Sequence, residues 1–180
     1  MSSKEEVAAA AEAAKKTGLP VAATLTFDTA RRSMMGVTPT EYAAFATEIG
    51  LDLIGSNCGI GPAELMDSTT ELLQADCGLP VIAKGNCGIP QYIDGEIHFR
   101  CSPELMARYA LHARDAGATV IGGCCGATPE HLAAMVEALN STPPGVFDAE
   151  LMAEQLGKPW PDLSSRGSEG GGRRSRRRQG

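Results

Sequence analysis

Four times along the chain a short apolar run leads into a capped helical segment, at a spacing of about 30 residues, and this repeat constrains the fold more than any other feature. The runs occupy residues 21–27, 51–57, 79–84 and 118–122, and the helical segments residues 38–49, 62–74, 102–116 and 128–139. Thr38-Pro39-Thr40-Glu41, Ser102-Pro103-Glu104 and Thr128-Pro129-Glu130 each combine a hydroxyl cap with proline at the first helical position. An Ala-rich helix capped by Ser2 or Ser3 and stopped by Gly18-Leu19-Pro20 precedes the first run. Strand and helix in alternation predict an α/β fold of parallel βα units, and in such sheets function gathers where strands end and loops begin.

The repeat ends near residue 140, so residues 1–140 are expected to form one domain. Residues 141–163 read as a Pro-rich extension with a short helix over 148–156. From Ser164 the chain carries six Arg and one Glu among Gly and Ser, with nothing to bury, and residues 164–180 are expected to be a disordered basic tail. That tail holds +5 of a net charge of −6, leaving −11 on the rest. Without aromatic residues between its arginines or a folded platform, it does not point to nucleic acid.

No apolar stretch approaches the roughly 20 residues of a membrane span, and the start lacks the basic-then-apolar order of a secretory signal, so a cytoplasmic protein is expected. Six cysteines in 180 residues are too sparse for a disulfide scaffold. They are expected to be free thiols or metal ligands.

Because parallel strands point the same way, the groups that follow each apolar run fall on one side of the sheet. These are Asp28, Asn57-Cys58, Asn86-Cys87 and Cys124-Cys125. Adjacent cysteines are poor redox partners but can both reach one soft metal ion. A third cysteine would complete a Zn–S₃ site with distances of about 2.3 Å and an open fourth position. Cys58 and Cys87 are both candidates for it, since Asn57-Cys58-Gly59-Ile60 and Asn86-Cys87-Gly88-Ile89 form a quasi-repeat. The plainer alternative is that Cys124 and Cys125 are small buried residues of a tight turn. Cys77 and Cys101 have no assigned role. His112 and His131 read as packing or surface residues, and His98 lies in a long loop that could approach the site. Asp28 with Arg31 or Arg32 could hold an amino acid's ammonium and carboxylate, or could be a solvated loop cluster.

At these residues the chain resembles the homocysteine S-methyltransferase family. Ile121-Gly122-Gly123-Cys124-Cys125-Gly126 followed by Ala127-Thr128-Pro129-Glu130-His131 is similar to the family's zinc motif, and Ile54-Gly55-Ser56-Asn57-Cys58 to the segment with its first zinc cysteine. The resemblance covers roughly residues 1–139. It implies Cys58, Cys124 and Cys125 as ligands of Zn²⁺, with Asn57, Asn86 and Asp28 near the substrate. Cys87 stands where the family commonly has alanine. The implied activity is methyl transfer to the thiol of homocysteine, giving methionine, with methylcobalamin, betaine or S-methylmethionine as donor. The family fold is a TIM-type (β/α)₈ barrel, of which this chain resembles the C-terminal half. Half a barrel leaves strand edges open, which implies an oligomer, a complementary half-barrel or a cobalamin-bearing partner.

Overall fold

The computed structural model describes residues 1–160. Its first helix, α1 (Lys4–Lys15), starts where the Ser3 hydroxyl accepts the Glu6 N–H at 3.1 Å, and it buries Val7 and Ala11. Then β1 (Ala22–Leu25) leads to α2 (Pro39–Glu48), β2 (Leu53–Cys58) to α3 (Pro62–Gln74), and β3 (Val81–Gly85) to a hairpin of β4 (Gln91–Ile93) and β5 (Glu96–His98). After it come α4 (Pro103–Ala116), β6 (Val120–Gly123), α5 (Pro129–Ser141) and α6 (Ala149–Leu156). The four long units lie where the sequence places them. Thr38 caps α2 in a reciprocal box with Glu41, and Gly117 ends α4 in the left-handed conformation that only glycine adopts cheaply.

The sheet order is β1-β2-β3-β6, and every neighbouring pair is parallel. The α/β fold with a parallel sheet is therefore as expected. Strand side chains alternate between the two faces. On the helix side Ala23, Leu25, Ile54, Ser56, Val81 and Ala83 are buried, part of a core continued by Tyr42, Leu72, Met106 and Tyr109. On the opposite face Ala22, Lys84 and Val120 are exposed and Leu53 half-buried, with Ile82 buried among them. Parallel sheets are usually covered on both faces. Among the described residues, this one is covered on one.

The hairpin is a departure from the sequence reading, which leaves residues 85–101 as a long loop. Asp94 and Gly95 both have positive φ, 52° and 90°, the geometry that lets a two-residue turn match the strand twist. Gln91 pairs with His98 and Ile93 with Glu96. His98 thus sits on an exposed strand, its Nε2 3.9 Å from Glu96, and no described contact takes it to the cysteines.

The helix expected over 148–156 is present as α6, capped by Asp148, and the chain beyond it folds back onto α3. The Trp160 indole N–H donates to Asp67 at 2.9 Å, and Arg31 Nε reaches the same carboxylate oxygen at 3.0 Å. Burial pushes the Asp67 carboxyl up despite the guanidinium beside it. Trp160→Phe keeps the ring's packing and removes one bond to a charged acceptor. We expect it to lower stability by about 1–2 kcal/mol, read as a fall in the urea midpoint. The basic tail expected over 164–180 lies outside the described residues.

Candidate metal centre

Register determines what meets at the ends of the strands. Cys58 is paired with Gly85, and Gly85 with Gly123, so the last residues of β2, β3 and β6 form one rung. The loop after β6 begins with Cys124, whose N–H donates to the Gly85 carbonyl at 2.7 Å, and its turn is closed by the Ala127 N–H on the Cys124 carbonyl at 3.2 Å. Cys125 is held from the other side, because its carbonyl accepts the Cys87 N–H at 2.9 Å. Gly126 has φ 77°, and a Cβ there would run into the Phe99 ring, so only glycine lets the chain pass beneath that ring. At the opposite side of the rung Cys58 itself has φ 57°, a left-handed conformation uncommon for a residue with a side chain and characteristic of functional positions.

These constraints bring three sulfurs together. The Sγ atoms of Cys58, Cys124 and Cys125 all lie within 4.8 Å of one another, and Cys58 and Cys125 are 3.6 Å apart. Two sulfurs bound at about 2.3 Å to one tetrahedral zinc are separated by about 3.8 Å, so the Cys58–Cys125 separation fits that donor geometry. Cys125 is exposed, and the other two are half-buried. The fourth tetrahedral direction has no fourth Cys or His in the cluster among the described residues.

Cys58 and Cys124 are also close enough to join as a disulfide, whereas Cys77, Cys87, Cys101 and Cys125 stand apart from such a pairing. The cause is the shared rung: it sets the two Cα atoms 5.7 Å apart, the ordinary span of a disulfide, despite 66 residues of intervening sequence. A disulfide and a metal ion compete for the same two sulfurs, so a metal requires the reduced chain.

Cys87, the other candidate for the third sulfur, lies outside this cluster. It is fully buried, and its carbonyl accepts the Cys101 N–H at 3.3 Å. Burial raises the Cys87 thiol, and burial together with the nearby Cys87 pushes the Cys101 thiol up to about 12. A thiol kept protonated is a poor ligand. Of the two halves of the quasi-repeat, only the first delivers a sulfur to the site.

The polar neighbours divide. Asn57 donates to Thr26 Oγ1 at 3.3 Å, and Asn86 to the carbonyls of Gly59 and Gly88, each at 2.9 Å, which ties the loops after β2 and β3 together. The side-chain oxygens of both asparagines are buried without a partner. Asp28 is on the exposed loop after β1, where it accepts from the Thr29 hydroxyl at 3.1 Å, and no described contact joins it to the sulfurs. His131 has a role the sequence reading missed. Its Nδ1 accepts the Thr128 N–H at 3.1 Å, closing the cap of α5, and its Nε2 lies 3.0 Å from the Cys101 carbonyl. The signal was its position three residues after Thr128, where a capping box places a reciprocal acceptor.

Comparison with known proteins identifies the family. The sequence profile of the homocysteine S-methyltransferase family matches residues 1–139. Betaine–homocysteine S-methyltransferase 1 of Danio rerio is 33% identical over 153 residues, covering 76% of this chain and 38% of that protein. S-methylmethionine–homocysteine S-methyltransferase BHMT2 of Rattus norvegicus is 32% identical over 151 residues, covering 75% and 41%. Methionine synthase of Mycobacterium leprae is 30% identical over 115 residues, covering 63% and 10%. The chain therefore spans about two fifths, or less, of these relatives. Among solved structures, the metallated form of the homocysteine methyltransferase MmuM from Escherichia coli superposes with a TM-score of 0.59 at 22% identity, covering 75% of this chain and 41% of that one. A shared fold and a profile match over residues 1–139 leave one conclusion: the chain belongs to the homocysteine S-methyltransferase family.

Proposed function

We propose that this chain is the thiol-binding part of a zinc-dependent homocysteine S-methyltransferase, with Cys58, Cys124 and Cys125 as the ligands of Zn²⁺. The observation that carries the reading is the convergence of those three sulfurs, from the ends of β2 and β6, into one cluster. Bound zinc supplies Lewis acidity that ionises a coordinated thiol near neutral pH, which makes homocysteine a nucleophile for a methyl group. The chain's own residues set the geometry. The Gly85 carbonyl and the Cys87 N–H fix the two halves of the cysteine pair, and Asn86 bridges the loops that flank them. Asn57, Asn86 and Asp28 are proposed as substrate neighbours; the unpartnered oxygens of the two asparagines are suited to an ammonium group.

The relatives named for betaine and for S-methylmethionine match this chain at 33% and 32% identity. Similarity shared equally by proteins named for different donors belongs with the acceptor thiol, so the residues present here serve homocysteine and the donor is left to other parts. The bare face of the sheet favours a second element of the reading. We infer half of a TIM-type (β/α)₈ barrel over residues 1–140, extended by 141–163 and by a basic tail over 164–180. In this reading methyl transfer requires a partner or a further part of the same polypeptide to cover the bare face, and the isolated chain retains the metal centre and its binding of the thiol.

X-ray absorption at the zinc edge of the reduced chain, with and without homocysteine, tests the function. Three sulfurs around zinc, becoming four when homocysteine is added, is the expected result. A ligand sphere unchanged by homocysteine would sink the substrate-binding part for this chain and leave a metal-binding fragment.

A further inference from the structure

The loop that follows β1 carries a strained turn. Ala30 and Arg31 have φ 51° and 67°, left-handed values that a residue with a side chain adopts only at a cost. They form the two-residue link between Thr29 and Arg32, whose backbone groups exchange N–H to carbonyl bonds of 3.0 Å in both directions. A turn with two positive φ values ordinarily takes asparagine or glycine. Residues 33–37 are held by bonds among themselves, with Ser33 buried. Residues 28–32 differ. Among the described residues, the one side-chain bond that ties them to another element is that of Arg31 Nε to Asp67 of α3, at 3.0 Å.

Asp67 is itself held from a distance. The Arg114 guanidinium donates to the carbonyls of Thr142 and Pro143, the Gly145 N–H donates to Asp115, and His112 pairs with Gln155, so the segment after α5 is pinned along α4 on its way to Trp160. Trp160 is buried and donates to the same carboxylate oxygen that Arg31 uses. The loop's other end is rooted beside the cysteines, because Phe27 is buried and the Thr26 hydroxyl accepts from Asn57, the residue before Cys58. Asp28 lies between root and turn. We propose that Asp67 is a positioning residue of the homocysteine site: by gripping Arg31 it holds the strained turn, and the turn holds Asp28 at the strand ends. The inference rests on the reading of Asp28 as a substrate neighbour. Its rivals are a clasp that only adds stability, and an Arg31 that itself meets the substrate carboxylate.

Calorimetric titration of homocysteine into the reduced, zinc-loaded full chain, with a phosphine in place of a thiol reductant, separates these. Asp67→Ala and Arg31→Met are each expected to weaken homocysteine binding roughly tenfold, as for the loss of one bond to a charged group, with zinc affinity unchanged. Asp67→Asn keeps the size and an acceptor for Trp160 but not the charge; it is expected to weaken binding about threefold, and it serves where alanine disturbs folding. Asp67→Ala and Arg31→Met alter the net charge in opposite directions, so a shared fall comes from the lost grip and not from the field. The double variant is expected to be no weaker than either single one, and additive losses would show two independent roles and refute the pairing. Trypsin gives a readout without homocysteine: cleavage after Arg32 is expected to quicken severalfold in both variants, and an unchanged rate there refutes the grip on the turn. Wild-type homocysteine affinity in the Asp67 variants overturns the inference and leaves the functional reading standing, and a fall confined to Arg31→Met makes Arg31 the substrate contact instead. A wild-type chain that holds zinc and binds no homocysteine overturns the functional reading and this inference with it.

Discussion

Replacing Cys58, Cys124 or Cys125 with alanine, one at a time, is expected to abolish stoichiometric zinc in the reduced chain, while Cys87→Ala retains it. Each of the three supplies one of the three sulfurs that converge within 4.8 Å. Two remaining thiolates cannot enclose the ion, so the loss exceeds the roughly hundredfold that removal of an outer hydrogen-bond partner causes in a metal site. Cys87 differs because its sulfur is buried outside the cluster, and what it gives Cys125 is a backbone N–H, which alanine also has. Metal analysis after reduction, zinc loading and gel filtration reads the result directly. Zinc lost equally from the Cys87 variant would move the third ligand from the end of β2 to the end of β3.

Gly55→Ala is expected to produce the largest loss of stability of any single methyl added to this sheet, about 3 kcal/mol. The position is in the middle of β2, and a Cβ built there lies 2.6 Å from the Cβ of Ile82 and closer still to the Ile82 carbonyl oxygen. Both atoms belong to β3 itself or are fixed to it, so no side chain can swing away. The strands must part, and with them the pairing of Cys58 with Gly85 that aligns the three cysteines. Gly122→Ala is the control: its methyl meets only the flexible Lys84 stem at 4.0 Å, an ordinary contact, and its cost stays within about 1 kcal/mol. Urea denaturation followed by circular dichroism compares the two, and equal midpoints would show that β2 and β3 tolerate separation.

Much of this was written in the sequence because it depends on local rules. Proline after a hydroxyl cap marked the starts of α2, α4 and α5, and parallel connectivity alone placed the ends of the strands on one side. The convergence of residues 58 and 124 follows from that connectivity. Harder to read was the choice between Cys58 and Cys87, which both follow a strand and an asparagine. Register and burial bring Cys58 and not Cys87 beside the pair, and neither is a property of a tetrapeptide. The hairpin β4–β5 was legible but overlooked, since Asp94-Gly95 between Gln-Tyr-Ile and Glu-Ile-His carries the turn signal. Trp160 on Asp67 was not legible, because 93 residues separate the partners and nothing in either neighbourhood announces the other.

The one-sided covering of the sheet also bears on how such a protein can change its chemistry. The cysteines are anchored by the rung and by loops continuous with the helix-packed side, so under the proposed function the part that covers the bare side is free to carry the methyl donor. Exchanging that delivering part disturbs none of the hydrogen bonds at Gly85, Cys87 and Asn86 that hold the sulfurs in place. Under the proposed function, a scaffold divided in this way separates acceptor from donor, so a change of donor leaves the apparatus for the receiving thiol untouched.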